Sequence, residues 1–270
     1  MKTIIITGAS DGIGAEMARQ LAHRLGPEAG LVLAARNDAL LQKVAAQCRS
    51  QGSEVFVVPT DITDPMQCRA LVERSVERFG WLDVLINNAG VSAQALFEEV
   101  QPENLGWYED LMRVNLWGSV WCTHAALPYL KTARGQIVAV SSLAGLMGVP
   151  GRTAYSASKF AMTGFFEALR AELKPAGVSV TLAFPGVVAT QTRHRGYNAA
   201  GQPAGTSGLK EDQAMPVEAC ARMILTGMAR RQREVVMEPR AKIGRFLKLL
   251  APGVVEKMAL HALKDEVKPK

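Results

Sequence analysis

Tyr155 and Lys159 stand four residues apart in Y-S-A-S-K-F-A, Ser142 precedes the tyrosine by thirteen residues, and Gly8, Gly12 and Gly14 form a glycine-rich turn far upstream. Positions i and i+4 of a helix share a face, so the ammonium of Lys159 should project beside the phenol of Tyr155. An ammonium about 5 Å away, at an effective dielectric of about 20, is worth about 3 kcal/mol, or about 2 pKa units. That would bring a tyrosine from about 10 to about 8, close to the pH at which proton transfer is efficient. Such a phenol can give a proton to a carbonyl being reduced, or take one from an alcohol being oxidised. The Ser142 hydroxyl can donate to the same oxygen and stabilise a developing alkoxide. A tyrosine and a lysine at this spacing are by themselves often no more than a solvated helix pair, and Ser142 is what gives the pair weight.

These residues need elements to hold them. Short apolar runs alternate with stretches of helical period, and Thr3 to Thr7, Leu31 to Ala35, Val55 to Val58, Val84 to Asn87, Ile137 to Val140, Val178 to Ala183 and Glu234 to Met237 are expected as strands. Continuous apolar strands, without in/out alternation, argue a parallel sheet covered on both faces. With right-handed crossovers the expected fold is α/β: a doubly wound, mostly parallel seven-stranded sheet with helices on both faces, a Rossmann fold. Ligands then bind outside the carboxyl ends of the strands, where each of these motifs falls. Residues 1–238 are expected to form this domain, with a lid over 187–215, and 239–270 a basic amphipathic extension.

The turn T-G-A-S-D-G-I-G follows the first expected strand and opens a helix, so its backbone amides would face a pyrophosphate. A glycine cluster can also simply make a tight strand-to-helix turn. The second strand ends in A-A-R-N, with neutral Ala35 and then Arg36 where an NAD enzyme would place an acid for the ribose 2′-hydroxyl. A guanidinium there favours NADP, with NAD as the alternative; an ordinary surface arginine is the plainer reading. Asp61 and Ile62 are placed to meet an adenine ring, with Asp64 before Pro65 the better helix cap. In N-N-A-G, Asn87 to Gly90, small residues permit close backbone approach.

At this point the chain resembles the short-chain dehydrogenase/reductase family, of the compact single-domain type. T-G-A-S-D-G-I-G, N-N-A-G, Asn115, S-S-L-A-G, Y-S-A-S-K and P-G-V-V-A-T occur in the family's order and spacing over roughly residues 1–190. The resemblance implies cofactor contact by Gly8, Ser10, Gly12, Ile13, Gly14, Arg36, Asp61, Ile62, Asn88, Tyr155, Lys159, Pro185, Val188 and Thr190. It implies a catalytic group of Asn115, Ser142, Tyr155 and Lys159, with Asn115 holding a water that resupplies protons to Lys159. It also implies association as a homodimer or homotetramer through helices near Leu105 to Tyr129 and Tyr155 to Lys174. Trp107, Trp117 and Trp121 are expected in the core or at such an interface.

Composition narrows the rest. The four cysteines show no disulfide or zinc spacing, so no metal is expected and a reducing cytoplasm fits. From Arg230 to Lys270 the chain carries 11 Lys/Arg against 5 Asp/Glu, a net +6 equal to that of the whole chain. The main domain is therefore neutral in sum, which argues against nucleic acid as a partner. Within the tail, Ile243, Phe246, Leu247 and Leu250 fall on one helical face and Lys242, Arg245 and Lys248 largely off it. That pattern suits peripheral contact with an anionic membrane, or packing on protein. Ser92, Ala93, Leu96, Phe97, Leu143, Leu146, Met147 and the lid are the candidate pocket, mostly apolar, which points to a lipophilic ketone or secondary alcohol. The alternative class is an NADP-sensing or lipid-surface binding protein with little turnover.

Overall fold

The computed structural model describes residues 1–205 and 214–267, so residues 206–213 of the expected lid lie outside the described part. Seven strands, β1 (Lys2–Thr7), β2 (Ala29–Ala35), β3 (Glu54–Pro59), β4 (Val84–Asn87), β5 (Gln136–Val140), β6 (Ser179–Phe184) and β7 (Glu234–Val236), form one sheet in the order β3-β2-β1-β4-β5-β6-β7. Every pairing is parallel; Ile5 faces Val32 on one side and Leu85 on the other. All seven expected strands are present; Val84–Asn87 keeps its expected bounds, and the ends of the others move by no more than two residues. Strand order reverses between β1 and β4, so a crevice opens outside their carboxyl ends.

Both faces of the sheet are covered, which is why its strands are mostly apolar. The helices α1 (Gly12–Leu25), α2 (Asp38–Arg49) and α7 (Val217–Ala229) enclose one core, in which Ile4, Ile6, Met17, Leu31 and Leu33 are buried. The helices α3 (Pro65–Phe79), α5 (Gly118–Ala133) and α6 (Thr153–Leu173) enclose the other, around Ile5, Leu71, Leu85, Ile137 and Phe166. Burying side chains of this size is worth about 1.5–3 kcal/mol each, so the two layers hold the sheet rigidly beneath the crevice.

Local signals set the helix ends. Asp11 caps α1 through the Gly12 N–H, Asn37 caps α2 through the Leu40 N–H, and Asp64 caps α3 ahead of Pro65. A short helix α4 (Gly106–Met112) runs through one π-turn, Arg113–Trp117, into α5.

After β6 the chain folds back over the crevice. Val188 bridges to Met215, and Tyr197 bridges to Ala93 beyond β4. After β7 come two helices, α8 (Pro239–Leu250) and α9 (Pro252–Val267). Arg245 of α8 pairs with Glu234 and Glu167, Lys248 lies 5.0 Å from the Phe160 ring centroid, and Gly244 abuts Met147. The basic side of α8 is therefore turned onto the domain. Ile243, Phe246, Leu249 and Leu250, between 67% and 85% exposed, face away. Leu247 is half-buried, so it leaves the exposed row in which its spacing had placed it.

Candidate active site

The crevice is floored by a turn with no room for a side chain at Gly8 or Gly14. Gly8 has φ +66°, and a Cβ there would sit 2.8 Å from the Ala89 Cα; a Cβ at Gly14 would sit 2.3 Å from the Gly8 carbonyl oxygen. Thr7 ties this turn to the loop after β4. Its Oγ1 donates to the Ile86 carbonyl at 3.3 Å and accepts from the Asn88 and Ala89 N–H groups at 3.0 and 3.1 Å. The Asn88 amide donates to the Thr7 and Gly8 carbonyls at 3.0 and 3.3 Å. Asn88 thus orders the turn with its side-chain NH2. Above it, the N-terminus of α1 offers backbone amides and the positive end of a helix dipole, which fits a dinucleotide's pyrophosphate.

On the β2–β3 side, Arg36 is exposed at the carboxyl end of β2. Asp61 Oδ1 accepts from the Thr63 N–H and hydroxyl at 2.9 and 2.8 Å. The Ile62 side chain is buried and fills the space beside Gly118 of α5, where an added Cβ would meet it at 2.6 Å. What Ile62 offers the crevice is backbone. After β6, Pro185 and Val188 are buried, while Thr190 rests on the glycine turn, its Cγ2 3.3 Å from where a Gly12 Cβ would lie.

The four candidate catalytic residues come from three places in the fold: the turn after β5, α6 and the π-turn before α5. Ser142 follows β5; its Oγ accepts from the Ala144 N–H at 3.2 Å, donates to the Pro185 carbonyl at 3.5 Å, and is near enough to the Tyr155 phenol to favour the ionised form. Lys159, on α6, is buried with Nζ donating to the Val140 carbonyl at 3.0 Å and lying 5.9 Å from the Tyr155 ring centroid. Asn115 sits in the π-turn between α4 and α5, a geometry enriched at functional sites. Its Oδ1 accepts from the Val91 N–H at 2.8 Å, and its Nδ2 donates to the Val91 carbonyl at 3.0 Å and to Ser158 Oγ at 2.9 Å. It is a satisfied buried amide that clamps the loop after β4 to α6. A Cβ on Gly90 would lie 3.0 Å from Asn115 Oδ1 and 3.5 Å from Lys159 Nζ, so the glycine marks where amide and ammonium approach one another.

The electrostatics correct one expectation. Burial pushes the Tyr155 phenol above its ordinary value, opposed by the Ser142 hydrogen bond and by the guanidinium groups of Arg152 and Arg193. Burial also pulls Lys159 down to about 8. An expectation built on the Lys159 charge alone omits the cost of removing both groups from water, which is the largest influence on each of them here.

Some pocket candidates do not line the crevice. Ala93 is packed with Trp107, Leu111 and Ala154, and Phe97 is 61% exposed, edge-on to Tyr108. Ser92 is buried and is approached by Arg152 Nη1 at 3.4 Å. Leu143 and Met147 stay half-buried near Ser142. Trp107 is core as expected, whereas Trp117 is 48% exposed and stacked on Trp121.

Two contacts near the site went unread in the sequence. Arg152, one turn before Tyr155, is buried and donates to Ser92 Oγ and, at 3.1 Å, to Gln94 Oε1. Its place ahead of the tyrosine was a readable signal. Arg195, in the segment after β6, pairs with Asp11 of the glycine turn at 2.6 Å, across a sequence separation of 184 residues that no local pattern discloses.

The profile of the short chain dehydrogenase family matches residues 2–201. The 11-beta-hydroxysteroid dehydrogenase A of Sesamum indicum is 38% identical over 262 residues, 94% of this chain and 73% of that protein. The 11-beta-hydroxysteroid dehydrogenase-like 4A of Arabidopsis thaliana is 44% identical over 188 residues, 69% of this chain and 61% of its own length. Among solved structures, a short chain dehydrogenase/reductase from Burkholderia phymatum in complex with NAD superposes with a TM-score of 0.80 at 26% identity, covering 94% of each chain. An alcohol dehydrogenase from the archaeon Thermococcus sibiricus complexed with 5-hydroxy-NADP gives 0.73 at 27%, covering 88% of this chain and 96% of that one. This chain belongs to the short-chain dehydrogenase family. It is a nicotinamide-dependent oxidoreductase acting on CH–OH groups, or on the carbonyls they become.

Proposed function

We propose that the protein uses NADP to interconvert a lipophilic ketone or aldehyde and its alcohol, with Tyr155 as general acid and base. The observation that carries this reading is the buried Lys159 ammonium 5.9 Å from the centre of the Tyr155 ring, with Ser142 just past β5 acting on the same phenol. When bound, the cofactor supplies or accepts the hydride. In the reducing direction the Tyr155 hydroxyl gives its proton to the substrate oxygen, and the Ser142 hydroxyl donates a hydrogen bond to that same oxygen. Lys159 favours the tyrosinate left behind, and Asn115 with Lys159 around Gly90 marks the proton's way back. In the oxidising direction the same groups take the proton from the alcohol.

Exposed Arg36 at the end of β2, with no acid beside it in A-A-R-N, supports a preference for the 2′-phosphate of NADP. The half-buried Leu143 and Met147 beside Ser142, together with relatives named for hydroxysteroids, support a lipophilic substrate. The unpartnered row Ile243, Phe246, Leu249 and Leu250 supports peripheral contact with a membrane surface through α8. Exposed Trp117 and Phe160, on α5's approach and on α6, support self-association there. The four buried free cysteines suit the cytoplasm.

The test is NADPH consumption against a panel of lipophilic ketones, oxo-steroids among them, with Tyr155→Phe beside the wild type. Turnover abolished in the variant supports the reading; turnover that ignores the substitution refutes it.

A further inference from the structure

An acidic residue occupies an awkward position in the glycine turn. Asp11 stands at the N-terminus of α1, its Oδ1 on the Gly12 N–H, where the backbone geometry suits a phosphate anion. A carboxylate beside a pyrophosphate repels it unless a cation stands between them. The lid supplies one: Arg195 Nη2 lies 2.6 Å from Asp11 Oδ2. Asp11 borders a cleft of about 360 Å³ lined also by Gly12, Ala189, Thr190, Gln191 and the start of α7. Arg19, which also reaches this cleft, is paired with Glu16 at 2.9 Å and donates to Gln47 at 3.2 Å. Arg195 is therefore the cation whose carboxylate partner sits on the glycine turn itself.

A guanidinium presents five donors in a planar fork and can hold a carboxylate along one edge while donating to a phosphate along another. We propose that Arg195 is a cofactor ligand carried by the lid, bridging Asp11 to the pyrophosphate of the dinucleotide. The bridge neutralises the one acidic side chain in the turn and makes lid closure depend on the phosphates beneath it. The described part of this segment is also tied down by the Tyr197 to Ala93 bridge on the β4 side and by Thr190 against the glycine turn, and Arg195 adds an ionic contact on the β1 side. This inference rests on the proposed use of a nicotinamide dinucleotide.

The test measures affinity rather than turnover. Dissociation constants for NADPH, ADP-ribose and adenosine 2′-monophosphate are taken by calorimetry for the wild type and for Arg195→Gln, Asp11→Asn and the double variant, each first shown to unfold at the wild-type temperature. Losing a charged bidentate contact should weaken NADPH and ADP-ribose roughly 10- to 100-fold in Arg195→Gln. Adenosine 2′-monophosphate, which lacks the pyrophosphate, should be unaffected. Asn keeps the helix cap, so Asp11→Asn should bind as well as the wild type or better, and the double variant should recover part of the loss. If Asp11→Asn weakens binding as much as Arg195→Gln, the pair is only a latch and the proposal is wrong. It is equally wrong if all three ligands weaken alike, or if Arg195→Gln costs less than about twofold. Failure of the wild type to bind NADPH or ADP-ribose would instead remove the functional reading, a result distinct from any of these.

Discussion

Lys159 reaches across from α6 with its ammonium 5.9 Å from the centre of the Tyr155 ring and 3.0 Å from the Val140 carbonyl of β5. That one contact places a titratable cation in the core and the phenol at its edge. Burial holds Lys159 at about 8, against an ordinary 10.5.

The sign of the consequence follows from proton counting. The folded lysine releases its proton at lower pH than the unfolded one, so between about 8 and 10.5 the unfolded chain binds more protons. The burial penalty is constant below this window and is relieved as pH rises through it. Observed by the ¹³Cε shift of Lys159, the titration should inflect near pH 8, and Lys159→Met should remove this group's rise in stability from the denaturation profile. An inflection near 10.5 would show the ammonium to be solvated.

Tyr155→Phe deletes the proton donor and leaves the ring in its packing. Turnover should fall by roughly 10²- to 10⁴-fold, the usual contribution of a positioned acid, while NADPH affinity stays within about threefold. A parallel collapse of affinity would show the hydroxyl to be part of the binding framework instead.

Asn115→Ala strips both Val91 backbone groups and Ser158 of a buried partner. The cost should be about 1–3 kcal/mol, lowering the melting temperature by roughly 2–4 °C for each kcal/mol. A melting temperature equal to the wild type's in scanning calorimetry would mean that the loop after β4 is held by other contacts.

Gly14→Ala forces a Cβ to within 2.3 Å of the Gly8 carbonyl oxygen, whereas Gly253 in α9 has nothing within 4 Å. NADPH binding, followed by fluorescence, should be lost in the first variant and unchanged in Gly253→Ala. Retained affinity in Gly14→Ala would show that the turn can open without harming its site.

The thiols should be silent in the native protein. Cys48 and Cys220 are buried, and desolvation raises them to about 11 and about 12, so neither offers thiolate at pH 8. A disulfide-exchange reagent should label them only as the chain unfolds; fast labelling without denaturant would reveal local opening.

Much of this molecule was legible because its determinants are local. Seven apolar runs broken by turn residues specify strands buried on both faces, and the Asp11, Asn37 and Asp64 caps mark helix starts within three residues of their partners. Gly8, Gly14, Tyr155, Lys159 and Ser142 announce themselves because their chemistry demands those residue types at those separations. The family pattern then carried Asn115 and the crevice residues. What the tertiary structure alone decided depends on distance through space and on water. Ile62 turned its side chain into the space beside Gly118, and Ala93 left the pocket for the packing around Trp107. The basic side of α8 docked on Glu167, Glu234 and Phe160 and left its apolar side outward. Arg195 met Asp11 from 184 residues away. Burial reversed the expected direction of the tyrosine's shift, because desolvation is set by everything that surrounds a group, and a linear chain records only its neighbours.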